Sequence, residues 1–144
     1  RQLAALGDVL LHELGAAPRT RAEVEAALAR LQQVAQRLKA CVRTEDTVAR
    51  LGGDEFVLML QQLSPVAQEA AADVEVVGRK ILQTLNQAYL LGGIEHHSTP
   101  SVGVAMFQED QLTIDELLKR ADLAMYQAKA QGRNTLCFYS ENGR

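Results

Sequence analysis

At 144 residues, 47% hydrophobic and 23% charged, the chain has the length of one domain and enough apolar material for a buried core. A net charge of −3 lacks the basic excess of a nucleic-acid surface, and 4% aromatic residues with no Trp leave little for base stacking. No apolar run approaches a membrane span and no signal peptide is visible, so a cytoplasmic domain without membrane contact of its own is expected, within a parent protein that membrane association would still suit.

The stretch from Arg1 to Leu14 has apolar residues at helical spacing and is expected to be a helix stopped by Gly15. A second helix is expected from Thr20 to about Arg43, with Thr20 as its cap and Glu23 placed as in a capping box. Its apolar stripe reads Leu28, Leu31, Val34, Ala35, Leu38 and Val42, and its exposed face Arg30, Gln33, Arg37 and Lys39. Arg43 and Asp46 then fit ordinary helix punctuation, Arg43 on the last carbonyls and Asp46 in the turn. Cys41 near this helix end and Cys137 near the C-terminus lie in apolar runs and read as free thiols.

Thr47 to Gln61, TVARLGGDEFVLMLQ, reads as a hairpin turning at Gly52-Gly53. Asp54 and Glu55 follow the turn, and strand alternation sends them to opposite faces. Acidic oxygens beside bare glycine backbone suit Mg²⁺ and the phosphates of a nucleotide. Acids at a turn are also commonly just solvated, but FVLML is too apolar for an exposed hairpin and places this turn at the edge of a buried sheet.

After a loop at Ser64-Pro65 a helix packs Val76, Val77, Ile81, Leu82 and Leu85 inward. Gly92-Gly93 marks a second hairpin turn, leading to the strand HHSTPSVGVAMF, whose Ser101–Val104 part is expected as a core strand beside the first hairpin, with Gly103 allowing close packing. Adjacent His96 and His97 would face opposite ways and suit a structural role better than a shared metal. Thr113 caps a final helix that ends at Gly132, and TLCFY is the closing strand. Lys129 and Arg133, four residues apart, suit a triphosphate, and equally a helix C-terminus that favours cations.

Gly52-Gly53-Asp54-Glu55-Phe56, together with LQQVAQRLKACVRTEDTVARL before it, HHSTPSVGVAMF and ADLAMYQAKAQGRN after it, resembles the GGDEF family of diguanylate cyclase domains. The likeness runs from about Leu31 to Tyr139 and is most similar to GGDEF domains that precede an EAL phosphodiesterase domain. It implies an α/β (α+β) fold, a mixed sheet flanked by helices of the nucleotide-cyclase and palm type. It implies a reaction in which two GTP become cyclic di-GMP across a transient homodimer, with Mg²⁺ or Mn²⁺. Asp54 and Glu55 would serve as metal-binding and catalytic carboxylates, with Gly52, Gly53, Lys129 and Arg133 on the substrate. Arg43 and Asp46 match the family's RxxD product-inhibition site, where an Arg fork meets phosphate or a guanine edge.

The N-terminal part departs from the family, which opens with a strand carrying a metal-binding aspartate. No such strand is recognisable, so residues 1–30 read as an atypical helical segment and residues 31–144 as the GGDEF domain. Gly7-Asp8-Val9-Leu10-Leu11 resembles the family's Gly-Asp-x-Leu-Leu piece, whose Asp contacts guanine. Either residues 1–30 are an upstream helix pair, or Asp8 is the guanine ligand and an insertion follows. The resemblance fits an active cyclase. The alternative is an inactive module that binds GTP or cyclic di-GMP and regulates attached EAL or sensor domains.

Overall fold

The computed structural model describes residues 3–12, 20–52, 54–108 and 112–141, the first of these segments by its backbone alone. In chain order the elements are β1 (Leu3–His12), α1 (Arg21–Cys41), β2 (Thr47–Gly52), β3 (Glu55–Leu63), α2 (Ala67–Leu85), β4 (Tyr89–Leu91), β5 (Ile94–His96), β6 (Thr99–Gln108), α3 (Ile114–Ala130) and β7 (Thr135–Phe138). The main sheet has the order β2-β3-β1-β6-β7, antiparallel except for the parallel pair β6–β7, and β4–β5 form a small hairpin apart. This is the mixed, helix-flanked sheet expected of the fold class.

The largest correction concerns the N-terminus. Leu3–His12 is a strand and not the expected helix, and it is the middle strand of the sheet, bonded to β3 on one side and β6 on the other. LAALGDVLLH is nearly unbroken in apolar residues, a pattern that a buried strand and a buried helix share. Two neighbouring strands with free edges decide between them, because their backbone groups need partners. A strand at the N-terminus thus fills the centre of the sheet, and β6 lies beside β1 instead of beside the signature hairpin. The Gly15 stop lies outside the described residues.

Alternation along the central strands sorts the core into two layers. Phe56, Leu58 and Leu60 of β3, with Val102 and Val104 of β6, pack with Val34 and Leu38 of α1 and with Val74, Ile81 and Leu85 of α2. Val57 and Ala105 face the other way, onto Leu117 and Ala121 of α3. At Gly103 the α3 backbone comes so close that an added Cβ would lie 2.2 Å from both Ala121 O and Met125 N.

Local signals resolve as their chemistry requires. Thr20 Oγ1 accepts from Glu23 N at 3.1 Å and Thr113 Oγ1 from Glu116 N at 3.2 Å. Gly92 and Gly93 take φ of 60° and 80°, the left-handed pair that a tight hairpin needs. Cys41 and Cys137 are free thiols, the first buried and the second half-buried. Among the described residues no helix is long and apolar enough to cross a membrane.

The expected faces of two helices need revision. Leu28 and Val76 are 55% and 68% exposed instead of packed inward. Arg30 is buried, while Gln33 and Arg37 are half-buried, so three residues of the expected solvent face of α1 point into the protein. Arg37 serves the C-terminus of α2: its Nη1 donates to Gln87 O and its Nη2 to Ala88 O, both at 2.7 Å, with the guanidinium 3.9 Å from the Tyr89 ring centre. A cation there meets the negative end of the helix dipole and the face of a ring.

Candidate active site

One row across the sheet sets the site. Glu55 pairs with Leu10, Leu10 with Ser101, and Ser101 with Thr135. The signature turn, which precedes Glu55, and the α3–β7 junction, which precedes Thr135, thus emerge at the same end of the sheet. Arg133 lies in that junction with a left-handed φ of 63°, its N–H donating to Ala128 O at 3.2 Å. Lys129 lies in the last turn of α3, its Nζ 5.9 Å from the Tyr126 ring centre. Gly52 ends β2 with open space where a Cβ would be, and Gly53 lies outside the described residues.

Asp54 and Glu55 go to opposite sides, as the alternation predicts. Asp54 turns to the α1 side, where its Oδ1 accepts from Nη2 of Arg30 in an ion pair whose side chains are 21% and 5% exposed. Glu55 turns to the α3 side and lines a groove with Leu51, Leu118, Lys119, Asp122 and Tyr126. Burial pushes the Glu55 carboxyl above its ordinary range, and the negative charge of Asp122 adds to the rise. Asp122 is thus the electrostatic neighbour of a signature carboxylate. Helical spacing carries the signal: Leu118, Asp122 and Tyr126 recur every four residues on α3.

As placed, the two carboxylates do not fit a shared divalent ion. Asp54 is held by a guanidinium, Glu55 lies on the other face, and among the described residues no three His, Cys, Asp or Glu side chains gather to hold a metal. Asp8 sits at mid-strand between Val57 and Gly103, and its side chain lies outside the described residues.

Because the Glu55 carboxyl is raised, its ionised form is disfavoured in the fold. The stability it contributes is present while it is protonated and is lost as pH rises through its raised midpoint. Asp122→Asn is expected to lower that midpoint towards the ordinary value without reaching it, since burial is the larger cause. Carboxyl ¹³C NMR titration reads this directly, and an unmoved midpoint would mean that Asp122 does not act on Glu55.

Arg43 and Asp46 stand apart from this end, at the far end of β2, about 20 Å away by strand rise. The Asp46 carboxylate accepts from two backbone groups, Arg43 N at 2.9 Å and Gln61 N at 3.0 Å, so it ties α1 to β3. The Arg43 side chain is 58% exposed and pairs with Glu45 at 3.7 Å. Lys39, Arg43, Thr44, Asp46 and Thr47 line a groove there.

Known proteins resemble this chain in sequence and in fold. The family profile described as "Diguanylate cyclase, GGDEF domain" matches residues 26–135. The bifunctional diguanylate cyclase/cyclic di-GMP phosphodiesterase MucR of Pseudomonas aeruginosa is 41% identical over 112 residues, 78% of this chain and 16% of that protein. The cyclic di-GMP phosphodiesterase NbdA of the same organism is 36% identical over 110 residues, 76% of this chain and 13% of that protein. The chain thus spans less than a fifth of either relative. The crystal structure of the GGDEF domain of YfiN (TpbB), also from Pseudomonas aeruginosa, superposes with a TM-score of 0.75 at 29% identity, covering 96% of this chain and 83% of that one. With the signature turn at the edge of this sheet and the profile matched over most of its length, the chain belongs to the GGDEF domain family.

Proposed function

We propose that this domain is a diguanylate cyclase that condenses two GTP into cyclic di-GMP. What supports the reading is the gathering of the Gly52–Glu55 turn, Lys129 and Arg133 at one end of the sheet. Two copies of the chain would each present one GTP, with Lys129 and Arg133 on the triphosphate, a point charge and a planar fork on phosphate oxygens. The 3′-hydroxyl of one nucleotide attacks the α-phosphorus of the other, the bond to the β-phosphate breaks, and pyrophosphate leaves. The second hydroxyl repeats the step to close the ring. Glu55, made more basic by burial and by Asp122, takes the hydroxyl proton. Most of the catalysis in such a transfer is positioning and charge neutralisation. Cyclases of this family work with a divalent metal. Mg²⁺ or Mn²⁺ is the ion we assign, and no step here is routed through it.

The experiment is GTP turnover with Mg²⁺ followed as cyclic di-GMP, beside Glu55→Gln. The variant is expected to lose on the order of 10²–10⁴ in rate. Equal rates for the two chains would remove Glu55 from the chemistry.

A second reading is favoured by the Arg30–Asp54 pair, which occupies a signature carboxylate. In that reading the domain binds GTP or cyclic di-GMP without turnover and regulates an adjoining EAL or sensor domain in a cytoplasmic part of its parent. Cyclic di-GMP would then lie at Arg43 and Asp46. Absence of turnover, with cyclic di-GMP bound and released by Arg43→Ala, is its expected signature.

A further inference from the structure

Three successive residues at the α3–β7 junction are left-handed: Gly132, Arg133 and Asn134, with φ of 109°, 63° and 51°. The end of α3 accounts for the first. Gly132 N–H donates to Lys129 O and Arg133 N–H to Ala128 O, both at 3.2 Å, the paired bonds of a helix end that turns on one left-handed glycine. Such an end asks nothing left-handed of the residues after it. Asn tolerates that region, but a long side chain such as Arg seldom takes it, so the conformation at Arg133 needs holding from outside.

The hold comes from α2. Asn86, which caps the C-terminus of α2, donates through Nδ2 to Oδ1 of Asn134. The same Nδ2 donates to Leu82 O at 2.6 Å, so the amide is fixed on its own helix where it meets the junction. That helix end is fixed in turn by Arg37, whose guanidinium donates to Thr84 O at 3.3 Å and to Gln87 O and Ala88 O at 2.7 Å. On the other side of Asn134 the chain enters β7 at once, with Thr135 paired to Ser101. We propose that Asn86 is a positioning residue: by holding Asn134 it keeps Arg133 left-handed and sets where that guanidinium meets the triphosphate of GTP. The proposal rests on the cyclase reading for the identity of the ligand. A phosphate fork placed in advance keeps the affinity that ordering it on binding would take away.

The test is calorimetric binding of 3′-deoxy-GTP, which lacks the attacking hydroxyl, to the whole chain, Asn86→Ala, Arg133→Ala and the double variant. Arg133→Ala is expected to weaken binding about 10–100-fold, and Asn86→Ala about 5-fold, the size of one neutral hydrogen bond. The double variant should bind no more weakly than Arg133→Ala, because Asn86 acts only through that guanidinium. Losses that simply add would overturn this, since they are what two unrelated defects give. The Asn86–Asn134 bond lies at the surface, so Asn86→Ala keeps the core. In ligand-free Asn86→Ala the ¹³Cα and ¹³Cβ signals of Arg133 should leave their left-handed values, and unmoved signals overturn the hold whatever the binding. A loss in Arg133→Ala with none in Asn86→Ala sinks the positioning role alone. Parent-like binding by Arg133→Ala, or no binding by the parent, removes the phosphate site of the cyclase reading and the proposal with it.

Discussion

Asp54→Ala is expected to lower the unfolding free energy by about 3 kcal/mol and the melting temperature by roughly 6–12 °C, although Asp54 lies at a turn beside solvent. Replacing an acid at an exposed turn ordinarily costs a few tenths. The difference is Arg30, whose side chain is 5% exposed and would lose its carboxylate in the variant. Breaking a buried pair from one side costs more than the pair contributes, because a charge stays behind in a poorly solvating place. Asp54 is 21% exposed, so water reaches part of the gap and the value belongs at the low end of that range. Arg30→Met/Asp54→Ala should recover most of the loss, since it removes both charges at once. Urea unfolding of the two single variants and the double completes the cycle. An Asp54→Ala chain with the parent's midpoint would mean that Arg30 reaches water once its partner is gone.

Gly103→Ala is expected to be at least as damaging, at about 3 kcal/mol or more. The added methyl would lie 2.2 Å from Ala121 O, 2.2 Å from Met125 N and 2.7 Å from Met125 Cα, all of them backbone atoms with no rotamer to change. Either α3 lifts from the sheet or β6 sinks into the other layer. Gly78 is the internal comparison, because the three atoms nearest its added Cβ all belong to the Leu136 side chain, with Cδ1 at 2.8 Å. Leu136 can swing, and Ala suits a helix interior better than Gly, so Gly78→Ala should be close to neutral. Thermal unfolding of both variants separates the cases, and equal stabilities would refute the packing argument. The damage at Gly103 should extend to the site, since α3 carries Asp122 and Lys129.

What the sequence reveals and what it hides divide along the same line. The signature hairpin, the Thr20 and Thr113 caps and the Gly92–Gly93 turn are legible because each is decided by residues within a few positions of one another. β1 is hidden because LAALGDVLLH has no period of its own, and its partners lie far along the chain in β3 and β6. Arg30, Gln33 and Arg37 look like a solvent face because their partners, Asp54, Leu90 O and the carbonyls of Gln87 and Ala88, come 24 to 57 residues later. The clue at Arg30 was its spacing of four from Val34, which places it on the buried row whatever its charge. For Asp122, the clue was a carboxylate one turn after Leu118 on the face turned towards Glu55.

The position of β1 bears on what counts as one piece of this protein. The family likeness begins at residue 26, yet the strand at the centre of the sheet ends at His12. A fragment cut where the likeness starts would keep the signature, the α3 cations and the product-site turn, and would leave β3 and β6 as two bare, facing edges. Such edges recruit whatever strand is at hand, including those of other fragments. The unit in which sequence similarity travels and the unit that can stand alone in water are therefore different lengths of the same chain. The difference is a segment whose letters carry little family signature and whose backbone holds the sheet together.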